Sequence, residues 1–166
     1  GTVGRLIRLN TDGSHDILFD TSIGAGNAII YQIVPQIDGK IIIAGSFTAY
    51  NGITVNRIAR VLPDGSLDSS FLTGSGTALT ITNVAVQSDG KIILAGNFSS
   101  FNGISAGRII RLHSDGSPDF TFNTGTGFNV DCSALFLQSD NKILIGGKYT
   151  QYNGENNNRI IRLNED

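Results

Sequence analysis

"QSDGKIILAGNF" (87–98) decides the fold: an apolar run of β-formers leaves an Asp-Gly pair and closes on an aromatic residue. The phrase stands earlier as "QIDGKIIIAGSF" (36–47) and later as "QSDNKILIGGKY" (138–149), so Asp38, Asp89 and Asp140 are 51 residues apart. Asn51, Asn102 and Asn153 keep the same interval, each after an aromatic residue (Tyr50, Phe101, Tyr152) and before Gly52, Gly103 or Gly154. Arg57, Arg108 and Arg159 keep it too, with Arg5 lying 52 before Arg57. "DGSxD" recurs at 12–16, 64–68 and 115–119. A period of this length belongs to solenoids, propellers and arrays.

Within the middle unit, "ITNVAVQ" (81–87) alternates as a strand should, Asp89-Gly90 turns the chain, and "KIILAGNF" (91–98) follows. Asp-Gly between such runs predicts a hairpin whose two central residues both take positive φ. A looser loop is expected around Phe101-Asn102-Gly103, then a third run, "RIIRLH" (108–113). Asp115-Gly116 leads into a shorter fourth run, "PDFTFN" (118–123), and "TGTGF" (124–128) connects to the next unit. No stretch shows a helical period. The expectation is an all-β β-propeller built from ~51-residue blades of four antiparallel strands, named A to D from the axis outwards.

The boundaries follow. Residues 1–166 form one repeat domain, with C and D strands of a shared blade in 1–27 and blades at 28–72 and 79–123. Strands A, B and C of the shared blade fall in 130–166. "NRIARVLPDGSLDSSF" (56–71), "VAVQSDGKIILAGNF" (84–98) and "FNG" (101–103) resemble the delta-60 repeat family of β-propellers, over essentially the whole chain. Blade length and strand end also resemble kelch repeats, whose paired glycine is complete only at Gly146-Gly147. The resemblance implies architecture, and a setting in bacterial surface or secreted proteins or in phage particles. It implies no enzymatic activity.

Three blades cannot enclose a channel, because propellers close with ~4–8. Two closures are open: a homodimer in which residues 1–20 of one chain complete the last blade of the other, or membership of a longer ring. The dimer is preferred and leaves one C strand per chain surplus. The chain opens on Gly1 with no signal peptide, which suggests a processed chain or an excised piece.

A formal charge of −2 argues against nucleic acid and anionic membrane, and no apolar run reaches bilayer length. Of twelve basic residues, all but Lys148 occupy recurring positions. Nine of fourteen acids do so as well. Catalysis needs a group once, whereas architecture needs it in every blade, so most of the charge is expected to be structural. Asp-Gly carboxylates are expected to cap their own turns, and one arginine of each Arg-x-x-Arg pair to meet a DGSxD carboxylate. Calcium on DGSxD is disfavoured because further oxygen ligands are missing. "GAG", "GSG" and "GTG" (24–26, 74–76, 125–127) open no helix and are expected to be connectors, not phosphate loops.

The unrepeated residues are His15, Asp20, His113, Asp131, Cys132, Lys148 and Glu155, and no catalytic set emerges from them. Cys132 aligns with Ile30 and Ile81 and reads as a small buried hydrophobe. No catalytic residue, metal or cofactor is expected. Binding is expected on the face carrying the B–C and D–A loops, which vary between units. The candidates there are Asn27, Thr54, Thr77, Ser105, Phe128, Asn129, Glu155, Asn156 and Asn157. The reading is a non-catalytic scaffold or binding module for protein or glycan, at a cell surface or on a virion. The alternative is a glycan hydrolase or lyase using Asp131 and Glu155.

Overall fold

A computed structural model describes residues 6–19, 24–26 and 28–165, and among these there is no helix. Three antiparallel sheets follow one another: β1 (Ile30–Pro35), β2 (Ile41–Gly45) and β5 (Ile58–Val61); β6 (Ile81–Val86), β7 (Ile92–Gly96) and β10 (Ile109–Leu112); β11 (Cys132–Leu137), β12 (Ile143–Gly147) and β15 (Ile160–Leu163). In each the middle strand is the second in sequence. The first strands β1, β6 and β11 lie side by side, which puts them innermost, as in a propeller.

The core lies between sheets. Ile42, Ala44 and Ile58 of the first blade pack against Ile92, Leu94 and Leu112 of the second. Ile93, Ala95 and Ile109 on the second blade's other face meet Ile143, Ile145 and Tyr149 of the third. Ile43, Phe47, Tyr50 and Val61 are covered by Leu6 and Phe19 from the start of the chain. A strand covered on both sides has no wet face, which is why "IIIAG" (41–45) and "IILAG" (92–96) are continuously apolar.

Three local expectations are corrected. The Asp-Gly turn has one left-handed residue rather than two. Gly39 stands at φ 81° while Asp38 stays in the ordinary region. Gly39 N–H donates to Gln36 O at 3.1 Å, Gln36 N–H to Lys40 O at 2.8 Å, and Lys40 N–H to the Asp38 carboxylate at 3.1 Å. Asn141 replaces this glycine in the third unit at φ 62°, a region its short amide side chain tolerates.

The Asn-Gly pair, expected as a loop, is the two-residue hairpin. Asn51 and Gly52 are both left-handed (48° and 80°) and join β3 (Ala49–Tyr50) to β4 (Ile53–Thr54). Asn102-Gly103 joins β8 (Ser100–Phe101) to β9 (Ile104–Ser105), and Asn153-Gly154 joins β13 (Gln151–Tyr152) to β14 (Glu155–Asn156).

The fourth run is an arm, not a strand. It makes single bridges at Leu9↔His15, Val61↔Leu67 and Leu112↔Pro118. The chain then curls because the Asp68 carboxylate takes both Ser70 N–H (3.0 Å) and Ser70 Oγ (2.6 Å). Asp119 does the same with Thr121 at 3.0 and 2.6 Å. A side chain that captures the backbone two residues on competes with the ladder and wins.

Candidate functional site

The repeated charges form a latch between blades. Arg60 Nε donates to Asp68 at 2.7 Å on its own arm, its guanidinium lies 4.6 Å from the Phe71 ring centre, and Nη1 donates to Ser114 O of the next blade at 2.6 Å. Arg8 repeats this with Asp16 (2.7 Å), Phe19 (4.6 Å) and Pro63 O (2.7 Å). Arg111 repeats it with Asp119 (2.8 Å), Phe122 (4.7 Å) and Glu165 O. Arg60, Arg111, Asp68 and Asp119 are buried. Removing one partner of such a pair typically costs ~3–5 kcal/mol.

Burial raises the Asp119 pKa, but hydrogen bonds from Thr121 and Arg111 outweigh it and hold the carboxyl at about 2. The other DGSxD carboxylates cap their own turns: Asp64 takes Ser66 N–H (2.9 Å) and Oγ (2.6 Å). The two acids of the motif therefore serve different partners. Among the described residues no three His, Cys, Asp or Glu side chains converge as a metal site.

The glycine connectors are explained by close approach. Gly76 N–H donates to Asn102 Oδ1 at 2.8 Å and Asn102 N–H to Gly76 O at 2.9 Å, tying connector to hairpin tip. Gly127 and Asn153 match each other at 2.9 Å in both directions. A Cβ on Gly127 would sit 2.3 Å from Gly107 O. Arg57 and Arg108, left-handed at 71° and 69°, reach Ala78 O and Phe128 O, both at 2.8 Å.

The expected binding residues separate into groups. Thr54, Ser105, Glu155 and Asn156 are exposed on the small hairpins, and Asn157 is half-buried beside the last of them. Asn129 is exposed, yet its carboxamide oxygen already takes Thr150 N–H (3.0 Å) and Gln151 N–H (3.1 Å). Thr77 and Phe128 belong to the interior. Thr77 is 2% exposed with its hydroxyl donating to Leu79 O at 2.7 Å. Phe128 stacks between Tyr149 (4.4 Å) and Tyr152 (4.7 Å). Asn27 and Asp20 lie outside the described residues.

A more convergent set lies nearer the axis, on the same end of the molecule. A cavity of about 390 Å³ is lined by Tyr31, Gln32, Thr82, Asn83, Asn97, Asp131, Cys132, Ser133 and Lys148. These are the starts of β1, β6 and β11 and the residues that follow β7 and β12. The unit-to-unit register is kept while the residue changes: Tyr31, Thr82 and Ser133 are equivalent, as are Ser46, Asn97 and Lys148.

Thr82 Oγ1 lies 3.1 Å from Cys132 O, and Asn83 Nδ2 donates to Thr82 Oγ1 at 2.9 Å. Asn97 Oδ1 is buried without a hydrogen-bond partner among the described residues. Tyr31 is 51% exposed. Lys148 is exposed, and Asp131 stands 3.9 Å from Arg108 Nε. Burial pushes the Cys132 thiol up to about 12, which keeps it protonated and unreactive. Glu155 does not line this cavity; it stands on the β13–β14 hairpin. Unrepeated residues within a strict register were visible in the sequence, but their meeting across three blades required the strand positions.

Radial sheets, two-sided middle strands and inter-blade latches define a run of β-propeller blades. The chain belongs to a β-propeller family described as a domain of unknown function (DUF5122), whose model matches residues 36–71, 87–122 and 138–166. This agrees with the delta-60 resemblance. No curated protein and no solved structure gives a significant match.

Proposed function

We propose that the chain is a non-catalytic propeller module that binds a neutral polar ligand, a glycan or a glycan-like protein loop, at the axial mouth of its variable face. The observation that carries this reading is the cavity at the starts of the three inner strands, where residue types change from blade to blade within a fixed register. Tyr31 supplies a stacking face of the kind sugars use, and Thr82, Asn83, Asn97 and Ser133 supply hydroxyl and amide groups. Asp131 and Lys148 add one charge of each sign, which favours a ligand without strong net charge.

The test is ligand screening with neutral oligosaccharides by saturation-transfer NMR, followed by Tyr31→Ala and Asn83→Ala. Both changes should weaken binding at least tenfold with the fold intact. Binding that is unaffected by both would reject this site. Turnover of an oligosaccharide that is lost in Asp131→Asn would replace the binding reading with a catalytic one.

A further inference from the structure

One lysine stands apart from the others. Lys40 pairs with Asp38 (3.8 Å) and Asp68 (3.2 Å), Lys91 with Asp89 (3.1 Å) and Asp119 (3.9 Å), and Lys142 with Asp140 (2.8 Å). These three hold one repeated position and are neutralised there. Lys148 lies outside that position, is exposed, and makes no ion pair with a described residue.

The same backbone hydrogen bond follows the second strand in all three blades. Ser46 N–H donates to Ile29 O at 2.9 Å, Asn97 N–H to Thr80 O at 3.2 Å, and Lys148 N–H to Asp131 O at 3.1 Å. Within that fixed geometry the residues pass from Ile29 and Ser46, through Thr80 and Asn97, to Asp131 and Lys148. Asp131 and Lys148 are thus neighbours of opposite sign, yet the cation that Asp131 meets is Arg108, 3.9 Å away at Nε. Asp131 and Arg108 offset one another. The Lys148 ammonium is left as the uncompensated charge on the wall of the axial cavity.

Resting on the ligand site proposed above, we infer that its ligand is a sugar bearing one singly charged acid group, a carboxylate or a sulfate ester, and that Lys148 selects it over the neutral parent. A lone ammonium is a point charge that answers a single negative charge. A phosphate ester, with nearly two charges, calls for more than one cation. Tyr31 comes from the first blade, Asn83 and Asn97 from the second and Lys148 from the third, so ring, hydroxyls and acid group are met from different blades. At a cavity wall the ion pair forms partly out of water, where salt screens it less than on open surface.

Titration followed by two-dimensional NMR tests this, with methyl glucoside, galactoside and mannoside each compared with its 6-carboxylate and its 6-sulfate. At least one acid form should bind about fivefold more tightly than its neutral parent, the size expected of a partly exposed ion pair. Whether the carboxylate or the sulfate shows the gain identifies the acid group. The gain should vanish in Lys148→Gln, survive in Lys148→Arg and in Lys142→Gln, and shrink as salt rises from about 0.02 to about 0.5 M. Equal affinity within every set overturns the inference while the neutral sugars still report on the axial site. A gain that persists in Lys148→Gln overturns it too, because another cation then holds the acid. Failure of all the acid forms to bind overturns it as well, and the oligosaccharide screen with Tyr31→Ala and Asn83→Ala decides the site separately.

Discussion

At the scale of single residues, recurrence marks architecture. Arg60 and Arg111 each join a carboxylate, an aromatic ring and a neighbouring blade's carbonyl, so their repetition was the sign of a latch. That an arginine would meet a DGSxD acid was legible from the sequence; the carbonyl 54 residues away was not, because nothing local encodes it. The latch sets an acid limit. Asp119 titrates at about 2 in the folded chain, below its ordinary 3.8, so its stabilisation is complete above the ordinary value and lost as pH falls through the folded one. Thermal unfolding should show a midpoint that drops as pH goes from about 4 to about 2. In Asp119→Asn that drop should shrink, from a lower starting midpoint.

Among the elements, legibility followed burial. The second strand of each unit was plain in the sequence because both faces are apolar. The fourth was misjudged because "PDFTFN" (118–123) alternates like a strand, while Asp119 diverts the backbone into its own turn. The Asn-Gly hairpins carried a strong turn signal but flank strands of only two residues, too short for alternation to show. Glycine use separates into two kinds here. Gly127→Ala places a methyl 2.3 Å from Gly107 O at φ 69° and should cost at least ~2 kcal/mol, through the clash and the left-handed backbone together. Gly103→Ala, at φ 77° with nothing within 4 Å, should cost only the ~1–2 kcal/mol of the backbone. Urea unfolding of both variants checks the order; equal losses would mean the connector is not closely packed.

For the whole molecule, each blade is stable because its neighbours cover it, and the variable residues collect where the blades leave a mouth. The radial arrangement was legible because the period, the turns and the two-sided strands agree. The proposed site was only half legible: of the candidates read from the sequence, Thr77 and Phe128 turn inward, while Tyr31, Asn83 and Asn97, which line the cavity, were not singled out. Sequence variability does not distinguish a loop residue facing solvent from one that fills a gap between blades.

A crystal structure of the chain tests the central claim most directly, namely that successive units stand face to face around one axis and are latched there. It should show β1, β6 and β11 side by side, with the Arg60 guanidinium on Ser114 O of the following blade. Units joined edge to edge in one continuous ladder, with Arg60 turned to solvent, would contradict it.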